Sequence, residues 1–459
     1  MDPKQVINHR QMCWLVGALI TSGGVLLAEQ EIVRISKMDA WFSYLLPMIY
    51  AFGVGIVFYR LSALFPDKHL FEIAKLLAGK PLGTVINVLI MVHIWFVLIR
   101  DCRALAQFIK TILLPNTPEE VILLLFALLL LYFGTTSVEV VARVNDIFFP
   151  IFVLCVFLMP LLLGNEINAK LLGPVLTTPL SSILSSNLLG AGWYADIIAI
   201  GAFLHTVHNN KQLSVSYRHG IVIGTLLLTM FVVMEIMVFG YNMPGNMVYP
   251  NYTLVQQINI TDFLDRMDLF LLSIWFPILA CKIILIYLAF LTGLASFVGK
   301  REYTLFSKPA ALFVTMSSLL SFKSTTEVFS FGNYSVPLYT LPYQLIVLPM
   351  LYVLARIRTE TSERQAQTSG SRGAGQVSQQ GTQTLRKKFM AKTINNMSFR
   401  MLYLITILLF AVCTCSIAAG LTFARQLSWV GIVCGAVYGA SLLLLLANSY
   451  LEVMKAREL

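Results

Sequence analysis

Long apolar stretches alternate with short polar segments along the whole chain. A helix that crosses a lipid bilayer needs about 20 mostly apolar residues. By this criterion the pattern predicts an all-α integral membrane protein with twelve spans, of which the fourth and the ninth are the shortest. The predicted spans cover residues 11–28, 41–62, 82–109, 119–134, 146–164, 189–207, 217–241, 267–295, 306–321, 335–357, 401–424 and 428–450.

The composition agrees with this pattern. Of the 459 residues, 57% are hydrophobic and only 12% are charged, and the mean hydropathy is +0.76. Soluble domains carry about 25% charged residues, so a soluble globular protein is excluded. The net charge of +10 does not indicate a nucleic-acid partner, because the Lys and Arg residues lie in short loops between apolar runs. The expected surroundings are a lipid bilayer.

The distribution of Lys and Arg predicts the orientation. With the N-terminus on the cytoplasmic side, cytoplasmic segments contain 23 of these residues, outer segments seven and the spans three. Cytoplasmic loops of membrane proteins are enriched in Lys and Arg. Both termini are therefore predicted to be cytoplasmic, and residues 11–28 are interpreted as a first span rather than a cleaved signal peptide.

A polar segment divides the chain into parts. Residues 359–384 are rich in Gln, Ser, Gly and Thr, a composition that does not bury enough apolar surface to fold. We therefore predict a ten-span domain at 1–358, a disordered basic cytoplasmic linker at 359–399 and a two-helix transmembrane tail at 400–459. Because such a linker imposes no rigid geometry, we expect the tail to be an accessory and not part of a ligand pocket.

Two further segments stand out. Residues 165–190 are too polar for a span and are predicted to form short helices on the outer surface. In span 12, Gly431, Gly435 and Gly439 are spaced four apart, which permits close helix packing. The partner of this ridge is either span 11 or another subunit.

Span 1 contains a run of small residues in its middle, Thr21, Ser22, Gly23 and Gly24. Glycine pairs weaken a helix, and backbone groups freed within lipid need new partners. Transporters use such breaks to direct the N-terminal amides of a half-helix at a ligand carboxylate. The alternative is close helix packing by small residues.

Span 6 contains a second interruption, with Gly190, Gly192 and Gly201 around Asp196. Spans 1 and 6 run in opposite directions and take corresponding places in two five-span halves. Paired interruptions of this kind indicate an inverted repeat with a binding site between its halves.

Intramembrane charges are costly and usually face one another or a cavity. The pattern favours pairing of Lys282 with Asp196 near the midplane, and of Glu235 with Arg103 farther out, the latter as a structural pair. An ammonium group at the midplane could also stand where a sodium-coupled transporter binds its ion. Six charged side chains lie more than four residues from either end of a predicted span: Arg100, Asp101, Arg103, Asp196, Glu235 and Lys282.

Other chemistry is not indicated. The seven cysteines lie in apolar runs, and no motif for a metal, a nucleotide or nucleophilic catalysis is present, so neither a cofactor nor an enzyme is expected. His93 is predicted to face apolar neighbours. Asn-x-Ser/Thr triplets at Asn251, Asn259 and Asn333 fall on predicted outer loops.

Several stretches carry a resemblance to a known family: QMCWLVGALITSGGVLLAE in span 1, LLPNTPEEV after span 3, SVEVVARVNDIFFPIFVL into span 5, LLGPVLTTPLSSIL before span 6 and SIWFPILACKIILIYLAF in span 8. Over about residues 5–357 the chain resembles the spore germination permease family, the polytopic B subunit of bacterial nutrient-germinant receptors in the amino acid–polyamine–organocation superfamily.

This resemblance implies a LeuT-type fold of two inverted five-helix repeats, here extended by two C-terminal helices. It implies a sensor of small nutrients such as amino acids in the spore inner membrane, working with a membrane-embedded A subunit and a lipoprotein C subunit. The ligand-binding residues that it implies are Thr21, Ser22, Gly23, Gly24, Arg100, Asp196, Ile200, Gly201, Ala202, Lys282, Ile286 and Tyr287.

The chain departs from the family in two ways. It adds a linker and two spans, and it has Ala195-Asp196 where many members have a Gly-Glu pair in span 6. A second function stays open, a proton-coupled amino-acid transporter in which Lys282 or Asp196 carries the proton. The fold alone does not distinguish a receptor from a transporter.

Overall fold

The computed structural model describes residues 7–207, 209–258, 266–300, 302–370 and 381–457, with the side chains of 359–370, 381–398 and 457 excepted. Across these ranges all regular secondary structure is helical. The α-helices are α1 His9–Gly23, α2 Glu29–Ser36, α3 Leu45–Leu64, α4 Leu70–Phe108, α5 Glu119–Phe133, α6 Val138–Leu162, α7 Leu180–Tyr194, α8 Asn210–Phe239, α9 Pro250–Gln256, α10 Met267–Phe297, α11 Ser307–Ser321, α12 Thr325–Ser330, α13 Val336–Gly370, α14 Gly381–Phe423 and α15 Ser428–Arg457.

In the described part of the chain, ten helical stretches are long and apolar enough to cross a membrane. The predicted spans 4 and 9 are the two that fall short. They correspond to α5 and α11, which have 15 residues each and are therefore about 22 Å long, against a hydrocarbon core of about 30 Å. Leucines such as Leu124, Leu125 and Leu320 are exposed on these two helices, as expected for surfaces that face lipid.

Span 1 changes its helix type where the interruption was predicted. Helix α1 ends at Gly23, a π-helical turn covers Gly24–Ala28, and α2 continues outward. The chain therefore stays helical, but the backbone hydrogen bonds of this turn join residues that are five apart instead of four. A second π-helical turn, Phe331–Ser335, joins α12 to α13 in span 10.

Span 6 is also interrupted, but it begins earlier than predicted. Helix α7 covers Leu180–Tyr194 and a 3₁₀-helix covers Ala195–Thr206, so residues 180–190 belong to the span and not to a surface segment. Their polar side chains find partners in the interior: Asn187 Oδ1 accepts from the backbone N–H of Leu46 at 3.0 Å. A 3₁₀ stretch of 12 residues is unusually long, since runs beyond three or four residues are uncommon.

Helices α1 and α8 pack in parallel at very short range. A Cβ atom at Gly220 would lie 2.5 Å from the carbonyl oxygen of Cys13, and one at Gly224 would lie 3.0 Å from Cβ of Ile20. Close approach of two helices in a membrane relies on such small residues. This contact fixes the register of span 1 against span 7.

The tail packs on the ten-span part. A Cβ atom at Gly431 would collide with the carbonyl oxygen of Val175 before span 6, and one at Gly435 would lie 2.9 Å from the ring of Trp41. The glycine ridge of α15 therefore contacts the ten-span body, a partner that the sequence analysis did not consider. Helices α13 and α14 extend into the predicted linker 359–399, to Gly370 and from Gly381. Residues 371–380 between them lie outside the described residues, and the disorder of that part stays a prediction.

Candidate functional site

Four charged side chains from three spans form a closed ring in the interior, which we call the charge cluster. Arg100 Nε lies 2.7 Å from Asp101 Oδ1, and Arg100 Nη2 lies 2.7 Å from Asp196 Oδ2. Lys282 Nζ lies 2.9 Å from Asp101 Oδ2 and 3.1 Å from Asp196 Oδ2. Each cation thus contacts both carboxylates, and the four formal charges sum to zero.

The burial of the charge cluster makes this pairing essential. The side chains of Arg100, Asp101, Asp196 and Lys282 are at most 2% exposed. Removing charges from water is costly, and the cost is recovered only where partners and hydrogen bonds are complete. The predicted contact between Lys282 and Asp196 is present, but the sequence analysis did not assign Asp101 to the site.

The cluster lies against both interrupted spans. Asp196 is the second residue of the 3₁₀ segment, directly after the end of α7. A Cβ atom at Gly23, the last residue of α1, would collide with Lys282 Nζ. The indole ring of Trp193 lies beside Gly23 and also contacts the cluster, with Arg100 Cζ 3.9 Å from its centroid. A cation over a tryptophan face gains further electrostatic stabilisation.

His93 also belongs to this site, and the prediction that it faces apolar neighbours is wrong. Its Nε2 lies 3.6 Å from Asp196 Oδ1, and its Nδ1 lies 2.8 Å from the hydroxyl of Tyr343. Gln344 donates to the carbonyl oxygen of Ala195 at 3.2 Å. His93 precedes Arg100 by seven residues, two helical turns, and this spacing could have placed both on one face of α4.

Two asparagines hold the interrupted part of span 1. Asn333 Nδ2 donates to the carbonyl oxygen of Leu27 at 3.1 Å, and Asn333 Oδ1 accepts from Trp193 Nε1 at 2.9 Å. Asn251 Nδ2 donates to the carbonyl oxygen of Val25 at 2.8 Å. In the π turn it is therefore backbone carbonyl groups that bind new partners. The turn does not present a row of free amide groups.

This corrects two expectations. A π-helix keeps its N–H groups bonded to carbonyls five residues earlier, so the predicted half-helix with N-terminal amides aimed at a ligand is not present. Asn333 lies in the π turn of span 10 and not on an outer loop, whereas Asn251 lies on α9 in the connection between spans 7 and 8; both are buried, at 4% and 5% exposure. Asn259 lies outside the described residues.

The other predicted site residues of span 1 face their own helix or a neighbour. Thr21 Oγ1 donates to the carbonyl oxygen of Gly17 at 3.0 Å, and Ser22 Oγ donates to that of Ala18. A Cβ atom at Gly24 would lie 3.2 Å from Leu228 Cδ2, so Gly24 packs on α8. Of this run, only Gly23 contacts the charge cluster.

The remaining predicted site residues lie farther along spans 6 and 8. A Cβ atom at Gly201 would lie 2.6 Å from Leu70 Cδ2, and Tyr287 donates its hydroxyl to the carbonyl oxygen of Ser307 at 2.6 Å. Neither contact brings these residues to the charge cluster, and their part in ligand binding stays a prediction. The others of this group, Ile200, Ala202 and Ile286, are buried at 0 to 1% exposure.

The predicted pair of Glu235 with Arg103 is wrong. Arg103 Nη2 lies 3.1 Å from Glu119 Oε2 and donates to the carbonyl oxygen of Phe322 at 3.1 Å. Glu235 lies on α8, which packs against α1 and α3, so its side chain meets span 1 instead of span 3. The residue numbers gave the depth of both groups in the membrane but not the direction in which they point.

The charge cluster retains unused hydrogen-bonding capacity. Within the described residues, Arg100 Nη1 has no hydrogen-bond partner, and Asp196 Oδ1 has only the more distant His93 Nε2 at 3.6 Å. One is a cationic donor and the other an anionic acceptor, which is the complement of a zwitterion. In the same part of the chain no group of three or more His, Cys, Asp and Glu is placed to hold a metal ion.

Comparison with known proteins gives concordant matches. The family described as "Spore germination protein" matches residues 6–327. A Bacillus subtilis protein named "Putative spore germination protein YfkT" is 27% identical over 344 residues, which cover 74% of this chain and 94% of that protein. Spore germination protein KB of the same organism is 20% identical over 331 residues, covering 71% and 89%.

A solved transporter shares the fold. Mhp1, a nucleobase-cation-symport-1 family transporter in a closed conformation with bromovinylhydantoin bound, superposes with a TM-score of 0.51 at 11% sequence identity. The match covers 98% of this chain and 94% of that one. At this identity the likeness establishes the fold alone.

Proposed function

The chain belongs to the family of spore germination proteins, and on that premise we propose that it is the membrane subunit of a nutrient-germinant receptor. Its relatives are spore germination proteins, and its family and fold are of receptor and transporter type. In this role it assembles with an A subunit and a C subunit in the spore inner membrane, with both termini in the cytoplasm.

The proposed architecture is two inverted repeats of five helices, spans 1–5 and 6–10, followed by two extra helices. Two correspondences between the halves support it. The first span of each half changes its helix type in the middle, at Gly24–Ala28 and at Ala195–Thr206. The fourth helix of each half is the short one, α5 and α11, with 15 residues each.

The proposed ligand is a small amino acid bound at the charge cluster. The observation that carries this proposal is a neutral, buried ring of two cations and two carboxylates between spans 1, 3, 6 and 8. Arg100 keeps a free donor, and Asp196 keeps an acceptor that His93 approaches only to 3.6 Å. An amino-acid carboxylate pairs with Arg100 or Lys282, and its ammonium group pairs with Asp196 or Asp101. Charge-assisted hydrogen bonds of this kind are about twice as strong as neutral ones.

Ligand entry changes the contacts between spans. In the closed ring Lys282 of span 8 holds Asp196 of span 6 and Asp101 of span 3. An amino acid that takes over some of these partners loosens one span from another, and so favours a different arrangement of the spans. A ligand shifts a conformational equilibrium by its difference in affinity for the two states, and the partner subunits transmit that shift as the germination signal.

The second candidate is a proton-coupled amino-acid transporter, which the fold shared with Mhp1 favours. In this version the same cluster binds the substrate, and the altered arrangement of spans releases it on the other side. For both candidate functions, the ammonium group of Lys282 lies beside span 1 and takes the place of the ion that a sodium-coupled transporter binds.

One pair of assays tests the proposal. Spores that lack the gene and spores that carry it are exposed to single amino acids, and loss of refractility is followed. The purified full-length protein is reconstituted in vesicles, and uptake of the active amino acid is measured with and without an imposed proton gradient. Germination without uptake supports the receptor, gradient-driven uptake supports the transporter, and the absence of both overturns the proposed ligand class.

A further inference from the structure

A second set of buried acids lies outward of the charge cluster and is not used by the proposed function. Glu29 at the start of α2 is 1% exposed, and Glu235 on α8 is fully buried. Their carboxyl groups are close enough for Glu235 to act electrostatically on Glu29. We call these two residues the carboxylate pair.

The packing of spans 1 and 7 accounts for this encounter. The two helices run in parallel, and Gly24 packs against Leu228. Five to seven residues farther outward on each helix stand Glu29 and Glu235. The glycine contacts fix the position of span 1 along span 7. Both acids therefore lie at the same depth of the interface between these spans.

In the described part of the chain, no basic side chain neutralises the pair. Among the described residues, neither carboxyl group takes part in a salt bridge. The titratable groups that act on Glu29 or are influenced by it are Tyr44 before α3 and Tyr194 of α7, together with Glu235 itself. The amide of Asn251 from α9 completes the surroundings.

The two acids differ in their hydrogen bonds. Glu29 accepts from the hydroxyl of Tyr44 at 3.4 Å and from Nδ2 of Asn251. In the part of the chain that the structure describes, neither carboxyl oxygen of Glu235 has a donor. The Oδ1 atom of Asn251, itself 5% exposed, is also without a donor there. The site therefore has spare acceptors and lacks a positively charged group.

We propose that the carboxylate pair is a proton-binding site, in which Glu235 carries the proton and Glu29 is ionised. Two neighbouring buried carboxyl groups cannot both ionise in a dry interior without a cation, because desolvation and mutual repulsion both oppose it. Glu29 has two donors that stabilise its charge, and Glu235 has none. The proton is therefore on Glu235, where its O–H can donate to a free acceptor such as Asn251 Oδ1.

A metal cation fits this site less well than a proton. Hard cations bound by oxygen require a shell of several ligands. The free acceptors found here are the two oxygens of Glu235 and one of Asn251. A proton needs one acceptor to bind it and one to receive its hydrogen bond.

A mainly apolar cavity lies beside the site. Its volume is about 60 Å³, and Asn251 lines it together with Val25, Tyr249 and apolar side chains such as Phe108 and Leu271. Neither acid of the carboxylate pair lines this cavity, so Asn251 is the residue that lies between the two.

The proton also controls a contact with span 1. Asn251 joins Glu29 to the carbonyl oxygen of Val25 in the π turn. When Glu235 loses its proton, two like charges face each other, and the outer ends of α2 and α8 are pushed apart. The α9 segment and the π turn respond together, so acid keeps the outer side closed and alkaline conditions loosen it.

Infrared spectroscopy of the full-length protein in nanodiscs tests the proton directly. The wild type should show the carbonyl band of a protonated carboxylic acid at pH 7, decreasing as the pH rises. Glu235→Gln should remove this band. Glu29→Gln should retain it, because Glu235 still lacks donors and a cation. The matched control is Asp268→Asn, whose carboxylate is 3% exposed but bonded to Tyr252 and Arg266; it should leave the band unchanged.

Three results would overturn the proposal. These are a wild type without the band at pH 7, a band that persists in Glu235→Gln, and a band that disappears when potassium in the buffer is replaced by sodium. The last result would assign the site to an alkali cation. The wild-type pH titration needs no variant to fold. Since none of these measurements involves a nutrient, they stand or fall independently of the germinant-receptor proposal.

Discussion

The backbone of Gly23 in span 1 directly faces the ammonium group of Lys282 in span 8, with no space for a Cβ atom between them. The same ammonium group contacts Asp196 at 3.1 Å and Asp101 at 2.9 Å. A single nitrogen atom thus links the helices of spans 3, 6 and 8 beside the interrupted part of span 1. Changes at this nitrogen should affect both stability and the response to ligand.

Lys282→Met retains the apolar stem but leaves the charge cluster with an uncompensated negative charge. Removing one partner of a buried ion pair typically costs about 3–5 kcal/mol. We expect a lower melting temperature and either a silent receptor or germination without nutrient. Asp196→Asn in the same chain should partly restore both properties, and Asp101→Asn serves as the comparison because Asp101 contacts the same two cations. A normal response from Lys282→Met would contradict the switch role, and a double variant no better than the single one would contradict the pairing.

Gly23→Ala and Gly24→Ala form a matched pair of tests. Each substitution gains about 1 kcal/mol of helix propensity. At Gly23 the new methyl group collides with Lys282 Nζ, whereas at Gly24 it lies 3.2 Å from a Leu228 methyl group that can move. We expect nutrient binding to fall at least tenfold in Gly23→Ala and to change little in Gly24→Ala, measured with membrane-inserted protein. Gly23→Leu and Gly24→Leu extend the test to larger side chains. Unchanged binding in both Gly23 variants would remove this position from the site.

Asn333→Leu should uncouple spans 1, 6 and 10. It leaves the carbonyl oxygen of Leu27 and the indole N–H of Trp193 without their present partner. A buried polar group without a partner costs about 1–3 kcal/mol, so thermal unfolding should shift clearly to lower temperature. Asn246→Leu is the control, because Asn246 lies in an outer turn and its exposed side chain donates to the carbonyl oxygen of Asn242. Equal shifts in both variants would show that Asn333 has no special structural role.

Gly431→Leu should detach the tail from the outer end of the ten-span body. A side chain there collides with the carbonyl oxygen of Val175, whereas Gly439 on the same helix has no atom within 4 Å of a new Cβ. We expect a lower melting temperature for Gly431→Leu and no change for Gly439→Leu. If the tail is an accessory, nutrient binding should survive in Gly431→Leu and after truncation behind residue 358. Loss of binding in a truncated protein that inserts normally would make the tail part of the binding domain.

Much of the fold and part of the site followed from the pattern along the chain. Apolar runs of spanning length predicted an all-helical membrane protein, and the structure agrees except that α5 and α11 are short. Glycine-rich positions predicted interruptions in spans 1 and 6, and both occur there as changes of helix type. The contact of Lys282 with Asp196 followed from their similar depth in the membrane and opposite charge.

The sequence by itself determined properties that depend on one helix at a time: length, hydropathy, depth of each charge and the places where a helix is weak. Only the tertiary structure decided which sides of the helices meet. Depth along a span follows from a rise of about 1.5 Å per residue, but the rotation of one helix against its neighbour is set by side chains from several helices at once. For this reason Glu235 lies near Glu29 instead of Arg103. For the same reason Asn333 donates a hydrogen bond to the π turn of span 1, more than 300 residues away in the sequence.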